Sequence, residues 1–261
     1  MKKVYNEFIF IEESADKSCI VGLTVEIMKE KGIIAGVCLI IFAILTCVVA
    51  GSIAAGTSDT LAFDTVIREW FYSLRSPWLT EVVKAITFMG NTKTVVTICV
   101  LILLVPLIVG VVERFAGEKG NNDKLCNCGF YIAKKVGLPI AIVAIVGSAI
   151  NKIFKHTILR PRPDVSLHLI EQGGWSFPSG HSISGLLLYG FLVWLIRRYC
   201  KNKTIANVAT VLLTILWIGV GLSRIYLGVH YPTDIVGGWT LGMVVMMVAI
   251  IIIEKIDSRK R

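Results

Sequence analysis

The sequence predicts an all-α membrane protein: a bundle of six transmembrane helices, with interfacial helices between spans one and two. Three observations carry this prediction. The 261-residue chain is 55% hydrophobic and 17% charged, with a mean hydropathy of +0.73, which is too apolar for an ordinary soluble domain. Its apolar residues gather into six runs, each close to the roughly 20 residues that a helix needs to cross about 30 Å of hydrocarbon. Its Lys and Arg sit in short clusters between those runs. A net charge of +9 raises nucleic acid as a partner, but that distribution argues against it and suits loops retained in the cytoplasm.

Residues 1–32 are mixed in charge and lack a long apolar run or a cleavage-site pattern, so they read as a cytoplasmic tail and not as a secretory signal. Met28, just before the first span, would also serve as a translation start; peptides found upstream of it by mass spectrometry would exclude that start. The spans are expected near 33–55, 94–112, 134–153, 182–197, 205–222 and 235–254, within a single membrane domain over 33–254 followed by a short tail, 255–261. Helices are the economical way across, because each unpaired amide in lipid costs several kcal/mol. Of the 27 Lys and Arg, 18 fall in the N-terminal tail, the 113–135 region, the 197–203 turn and the C-terminal tail. That asymmetry predicts cytoplasmic termini, a multi-pass plasma-membrane protein, and polar islands on the extracytoplasmic side.

Between the first two spans, Phe63, Val66, Ile67, Trp70, Phe71 and Leu74 recur at helical spacing, with Asp64, Arg68 and Glu69 off the stripe. A helix lying in the interface is expected there, ended by Ser76-Pro77 before a second short helix near 79–89. It would be a packed cap, a lid that guides a headgroup, or both. Gly238-x3-Gly242 permits close helix packing within the chain. Cys38, Cys47 and Cys99 fall inside apolar spans, where they pack as small hydrophobes. Cys126-x-Cys128 lies in a polar loop and reads as free thiols, because no second ligand pair accompanies it.

Three polar islands sit at the edges of these spans: Lys155 to Pro163, Pro178 to His181 and Ser223 to Asp234. Charge at such depth needs a partner or a function. Lys155, Arg162, Arg224, the Ser179 hydroxyl and the amides of a helix beginning at Gly180 suit a tetrahedral oxyanion. Gly180 lets backbone approach an oxygen closely. His230 and Asp234, four apart, are neighbours on a helical face, and an Asp that holds one imidazole nitrogen frees the other for attack. A structural His–Asp pair is the plainer reading, made weaker by Arg224 six residues upstream. Together, His181, His230 and Asp234 are what a nucleophile and a general acid would require. Arg160, His156 and His168 are assigned no chemistry: Arg160 to headgroup or surface contacts, the histidines to exposed or packed positions. Asp164 stands alone, no carboxylate cluster offers a metal site, and no cofactor is expected.

These islands read Lys-x6-Arg-Pro, Pro-Ser-Gly-His and Ser-Arg-x5-His-x3-Asp, and in that order they resemble all three motifs of the type 2 phosphatidic acid phosphatase (PAP2) superfamily over roughly residues 60–250. The six-span pattern is similar to its bacterial members. The resemblance implies that His230 attacks phosphorus to form a phosphohistidine, that Asp234 orients it, and that His181 protonates the leaving alkoxide. It also implies that Lys155, Arg162, Ser179, Gly180 and Arg224 hold the phosphoryl oxygens without a metal. The substrate would be a membrane lipid phosphate. Undecaprenyl diphosphate stays open beside phosphatidylglycerophosphate and phosphatidic acid, because the motifs read only the phosphate. Phosphotransfer to an acceptor other than water, vanadate haloperoxidase chemistry, and non-catalytic lipid-phosphate binding or transport are the rivals.

Overall fold

The computed structural model describes residues 17–57, 61–115 and 129–259; Cys126, Cys128 and the first part of the expected N-terminal tail lie outside the described residues. Among the described residues eight long helices follow in order, α1 (Lys17–Ala54), α2 (Ala62–Ser73), α3 (Pro77–Phe88), α4 (Thr92–Phe115), α5 (Gly129–Ile158), α6 (Gly180–Tyr199), α7 (Lys203–Tyr226) and α8 (Pro232–Ser258), with a single 3-10 turn at Val165–Leu167 between α5 and α6. Six of them are long and apolar enough to span a bilayer, and among the described residues there is no strand.

Local chemistry explains the boundaries. Pro77 occupies the first turn of α3 after an extended Ser76, where its fixed φ is preorganised and its missing N–H is not needed. Leu159 ends α5 in the left-handed region at φ 55°, and the following Arg160-Pro161 cannot continue the helix. The Asn202 side chain accepts from Ile205 N at 3.1 Å to cap α7. At α8 the Asp234 carboxylate accepts from Tyr231 N at 2.9 Å, as in a capping box. One boundary differs from expectation: α1 begins at Lys17, well inside the segment read as a tail. Once a helix is nucleated, each further residue adds a hydrogen bond without a new nucleation cost.

Helix α6, expected to be the shortest span, is the centre of the bundle. More than half of its apolar window (56%) is buried, against 11% for α1, because neighbours surround it on all sides while α1 faces lipid. Helix α8 packs on α1 and α6, and α7 packs on α3 and α6. The small residues predicted to permit close packing do so: a Cβ at Gly238 would lie 2.8 Å from Ser179 O and 2.8 Å from Ser182 Cβ, and one at Gly242 would lie 3.0 Å from Leu186 Cδ2. At one end of the bundle Lys31 pairs with Glu254, while Lys135 and Arg198 both reach Asp257, at 2.6 and 2.8 Å. The three polar islands meet at the other end.

Helices α2 and α3 appear where interfacial helices were expected. The apolar stripe of α2 turns outward, with Phe63, Val66 and Trp70 exposed, and Asp64 turns inward to complete burial. In an aqueous fold that orientation would be inverted; at a membrane the outward apolar face has hydrocarbon and headgroups to meet.

Candidate active site

Backbone hydrogen bonds bring the islands together. Ser176 N donates to Arg160 O at 2.8 Å, joining the first island to the turn that leads into the second, and Ser179 N donates to Asp234 O at 3.0 Å, joining the second to the third. Ser179 is buried and its hydroxyl accepts from Ser182 N at 3.4 Å, so it caps α6 as expected. Gly180 lies close to a neighbouring side chain: an added Cβ would stand 3.1 Å from Asn151 Nδ2.

At the floor lies His230, buried, with Nδ1 3.1 Å from Asp234 Oδ2. Arg162 Nη1 donates to His230 Nε2 at 3.0 Å and to Val229 O at 2.6 Å. Asp234 can only accept and Arg162 can only donate, so these partners assign the proton to Nδ1 and the lone pair to Nε2. Burial pushes the His230 imidazole well below the ordinary histidine range; the hydrogen bond with Asp234 opposes this, and Arg162 adds to it. The Ser176 hydroxyl also donates to Asp234 Oδ2.

Lys155 from the end of α5, Arg162 from the loop after it and Arg224 from α7 all act on His181, which starts α6. Their own partners are oxygens of the 172–176 turn. Lys155 Nζ donates to Trp175 O and Ser176 O, Arg162 Nε to Gly173 O and Gly174 O, and Arg224 Nη2 to the Gln172 side-chain oxygen. Arg224 also donates to Thr87 Oγ1 at 2.8 Å. Burial lowers Arg162 to about 10. A cleft of about 380 Å³ opens beside this cluster, bordered by Arg162, His168, Gln172 and Trp175. The structure thus gathers all eight residues singled out in the sequence, and the cluster presents three cations, helix-start amides and an imidazole nitrogen whose lone pair faces Arg162, a setting for an oxyanion under nucleophilic attack once Arg162 turns to that oxyanion.

The expectation for Arg160 is overturned. It makes no surface contact: the residue is fully buried, donating to Asp234 Oδ1 at 2.7 Å and to Asp64 Oδ2 at 2.8 Å. Two carboxylates lie within reach, and a guanidinium that finds both leaves lipid headgroups unneeded. Burial works against its charge, but Asp234 and Asp64 outweigh it and raise its pKa. Sequence reasoning also missed Asp64, Ser176 and Gln172. The rigid Arg160-Pro161-Arg162-Pro163 run was the available signal for Arg160, while nothing local distinguished Asp64. His156 is exposed, and His168 Nε2 lies 3.0 Å from Pro163 O, in line with the plain reading of both.

Comparison with known proteins agrees with the helical membrane fold. The PAP2 superfamily model matches residues 136–257, which hold all three islands, a shorter stretch than the 60–250 expected. The chain is 30% identical to phosphatidylglycerophosphatase B of Bacillus subtilis (strain 168) over 196 residues, covering 73% of this chain and 83% of that protein. It is 28% identical to an undecaprenyl-diphosphatase of Sulfolobus acidocaldarius over 118 residues, 43% of this chain and 53% of that one. The crystal structure of a transmembrane PAP2-type phosphatidylglycerolphosphate phosphatase from Bacillus subtilis superposes with a TM-score of 0.64 at 26% identity, covering 85% of this chain and 96% of the other.

Proposed function

This chain belongs to the PAP2 superfamily and is an integral membrane lipid phosphatase, and we propose that it removes the terminal phosphate of its lipid through an N-phosphorylated His230 at the outer face of the membrane. The observation that carries this reading is the pair of contacts on one buried ring: Nδ1 on Asp234 and Nε2 turned toward Arg162.

In the first half-reaction the His230 Nε2 lone pair forms a bond to phosphorus while the bond from phosphorus to the lipid oxygen breaks. His181 gives that oxygen a proton. Asp234 holds the Nδ1 proton throughout and balances the positive ring of the phosphohistidine. Lys155, Arg162 and Arg224 exchange the turn's oxygens for the phosphoryl oxygens, with Ser179 and Gly180 adding the donors of the α6 start. Fixed donors of this kind are each worth on the order of 100- to 1,000-fold in rate. Water, deprotonated by His181, then attacks phosphorus; inorganic phosphate leaves and both histidines return to their starting states. Three cations serve the charge role that Mg²⁺ has in other phosphoryl-transfer sites, and no step calls for a metal.

The side of the membrane follows from charge. The end opposite the site carries Lys31, Lys135 and Arg198, the sequence places 18 of the 27 Lys and Arg in the segments on that side of the spans, and basic loops stay cytoplasmic. For substrate, the two named relatives favour phosphatidylglycerophosphate and undecaprenyl diphosphate respectively, with phosphatidic acid as a further glycerolipid candidate.

The test is phosphate release by purified protein in detergent with EDTA, comparing those three lipids. His230→Ala is expected to fold and to turn over none of them. Hydrolysis by His230→Ala at the wild-type rate overturns the mechanism, and a folded wild-type sample inactive on all three lipids moves the reading to transfer or binding.

A further inference from the structure

The fully buried ion cluster behind the nucleophile has a composition that a structural salt bridge does not require. Asp234 Oδ2 takes the His230 ring, the Tyr231 amide at 2.9 Å and the Ser176 hydroxyl, while Oδ1 takes Arg160 Nη1 at 2.7 Å. Arg160 is shared: Nη1 also donates to Thr233 Oγ1 at 2.7 Å, and Nη2 donates to Asp64 Oδ2 at 2.8 Å. Asp64 in turn accepts from Thr233 N at 2.8 Å and Thr233 Oγ1 at 2.7 Å. The Arg160 guanidinium lies over the Tyr231 ring, 3.9 Å from its centroid. Asp64, Arg160 and Asp234 all have no exposed surface.

We propose that Arg160 and Asp64 are positioning residues for the phosphatase reaction, forming with Asp234 a rigid two-carboxylate, one-guanidinium unit that aims His230 and keeps a net negative charge behind it. The inference rests on the assignment of His230 as nucleophile.

The electrostatic argument concerns Asp64. An Asp234–Arg160 pair alone is neutral as seen from His230 and would do little for the positive ring that phosphorylation creates. Adding Asp64 restores one net negative charge while Arg160 still anchors Asp234 Oδ1. The geometric argument concerns Arg160: a carboxylate held through both oxygens cannot swing, so the imidazole it holds cannot swing either, and small misplacements of a reacting atom cost large factors in rate. Asp64 lies in the first turn of α2, whose other face is apolar and outward, so the helix seated at the membrane surface is one anchor of the nucleophile.

A merely structural role predicts something different from a positioning role. The variants are Asp64→Asn, which keeps an oxygen for Thr233 N, and the double variant Asp64→Asn/Arg160→Gln, which removes one charge of each sign and preserves the net charge of the cluster if the single variant does not fold. Arg160→Lys is the conservative rescue. Turnover is measured per folded protein, judged by size exclusion and thermal melting in detergent, on dioctanoyl phosphatidic acid or farnesyl diphosphate, whichever the wild type hydrolyses faster.

Asp64→Asn is expected to lower kcat about tenfold or more with KM within twofold. It is also expected to move the acid limb of kcat/KM to lower pH, because the cluster behind His230 loses its net negative charge. The charged groups that face His230 are Asp234 from α8, Lys155 from α5 and Arg162 from the loop between, and none is altered. The double variant is expected to return the acid limb to its wild-type position with kcat still low, since Oδ1 is no longer anchored, and Arg160→Lys to recover part of kcat. Wild-type kcat and an unmoved acid limb in folded Asp64→Asn, or wild-type kcat in the double variant, overturn the proposal. With His230→Ala inactive in parallel, that result removes the positioning role alone; with His230→Ala active, the nucleophile assignment fails first.

Discussion

Gly238→Ala adds one methyl group at the seam between the last helix and the Pro-Ser-Gly-His turn. The new Cβ would stand 2.8 Å from both Ser179 O and Ser182 Cβ. Ordinary carbon–oxygen contacts begin near 3.3 Å and carbon–carbon contacts near 3.5 Å, so the turn and α8 must separate by about 0.5 Å or more. Both neighbours are awkward to move: one is backbone and the other is the first atom of a buried side chain. Overpacking of this kind costs roughly 1–3 kcal/mol. The displacement also acts on the site, because Ser179 N bonds Asp234 O at 3.0 Å one turn from Gly238, and the Ser179 turn carries the amides proposed to hold phosphate. A shift of about 1 Å at a reacting centre costs on the order of 100-fold, so half that shift should lower kcat/KM by roughly tenfold. The assay is lipid phosphate hydrolysis beside thermal melting in detergent, with Gly36→Ala as control, since a Cβ there meets nothing within 4 Å. Gly238→Ala with wild-type melting and wild-type kcat/KM would refute the reasoning about this seam.

Three further outcomes follow from the same geometry. Arg162→Lys keeps a charge but loses the fork that spans Gly173 O, Gly174 O and His230 Nε2; kcat/KM should fall about 10- to 100-fold in steady-state assays, and an unchanged value would remove Arg162 from the clamp. The nucleophile must be unprotonated, and His230 is held well below the ordinary histidine value by burial, with Arg162 contributing. Activity should therefore persist as pH falls through about 6.5, with the acid limb of kcat/KM lower still. Arg162→Gln, which removes a positive neighbour, should move that limb upward; a limb that stays put would show that another group titrates.

Several of these expectations were readable in the sequence, and others were not. The six spans are a matter of apolar run length, since any run of about 20 such residues is driven into a bilayer whatever its neighbours. The islands were legible because Lys155, Arg162, Ser179, His181, Arg224, His230 and Asp234 are polar residues at the edges of such runs, in a chain with only four His. The helix start at Ser179 was legible as well, because it is set by a side chain that caps its own backbone.

Arg160 was misassigned to the surface because periodicity and spacing describe a residue against its own segment. Its partners, Asp64 and Asp234, lie 96 and 74 residues away. The inward turn of Asp64 is of the same kind: the α2 stripe fixes two faces but does not say which one the bundle takes. The engagement of Lys155, Arg162 and Arg224 by the 172–176 turn likewise depends on how α5 and α7 approach that turn. By itself, then, the sequence determined membrane insertion, the number of spans and the inventory of chemical groups, all of which follow from transfer free energies and local backbone geometry. Only the tertiary structure decided which charges meet, because a buried ion pair exists where packing removes water from two side chains at once, and that condition has no signature in either segment alone.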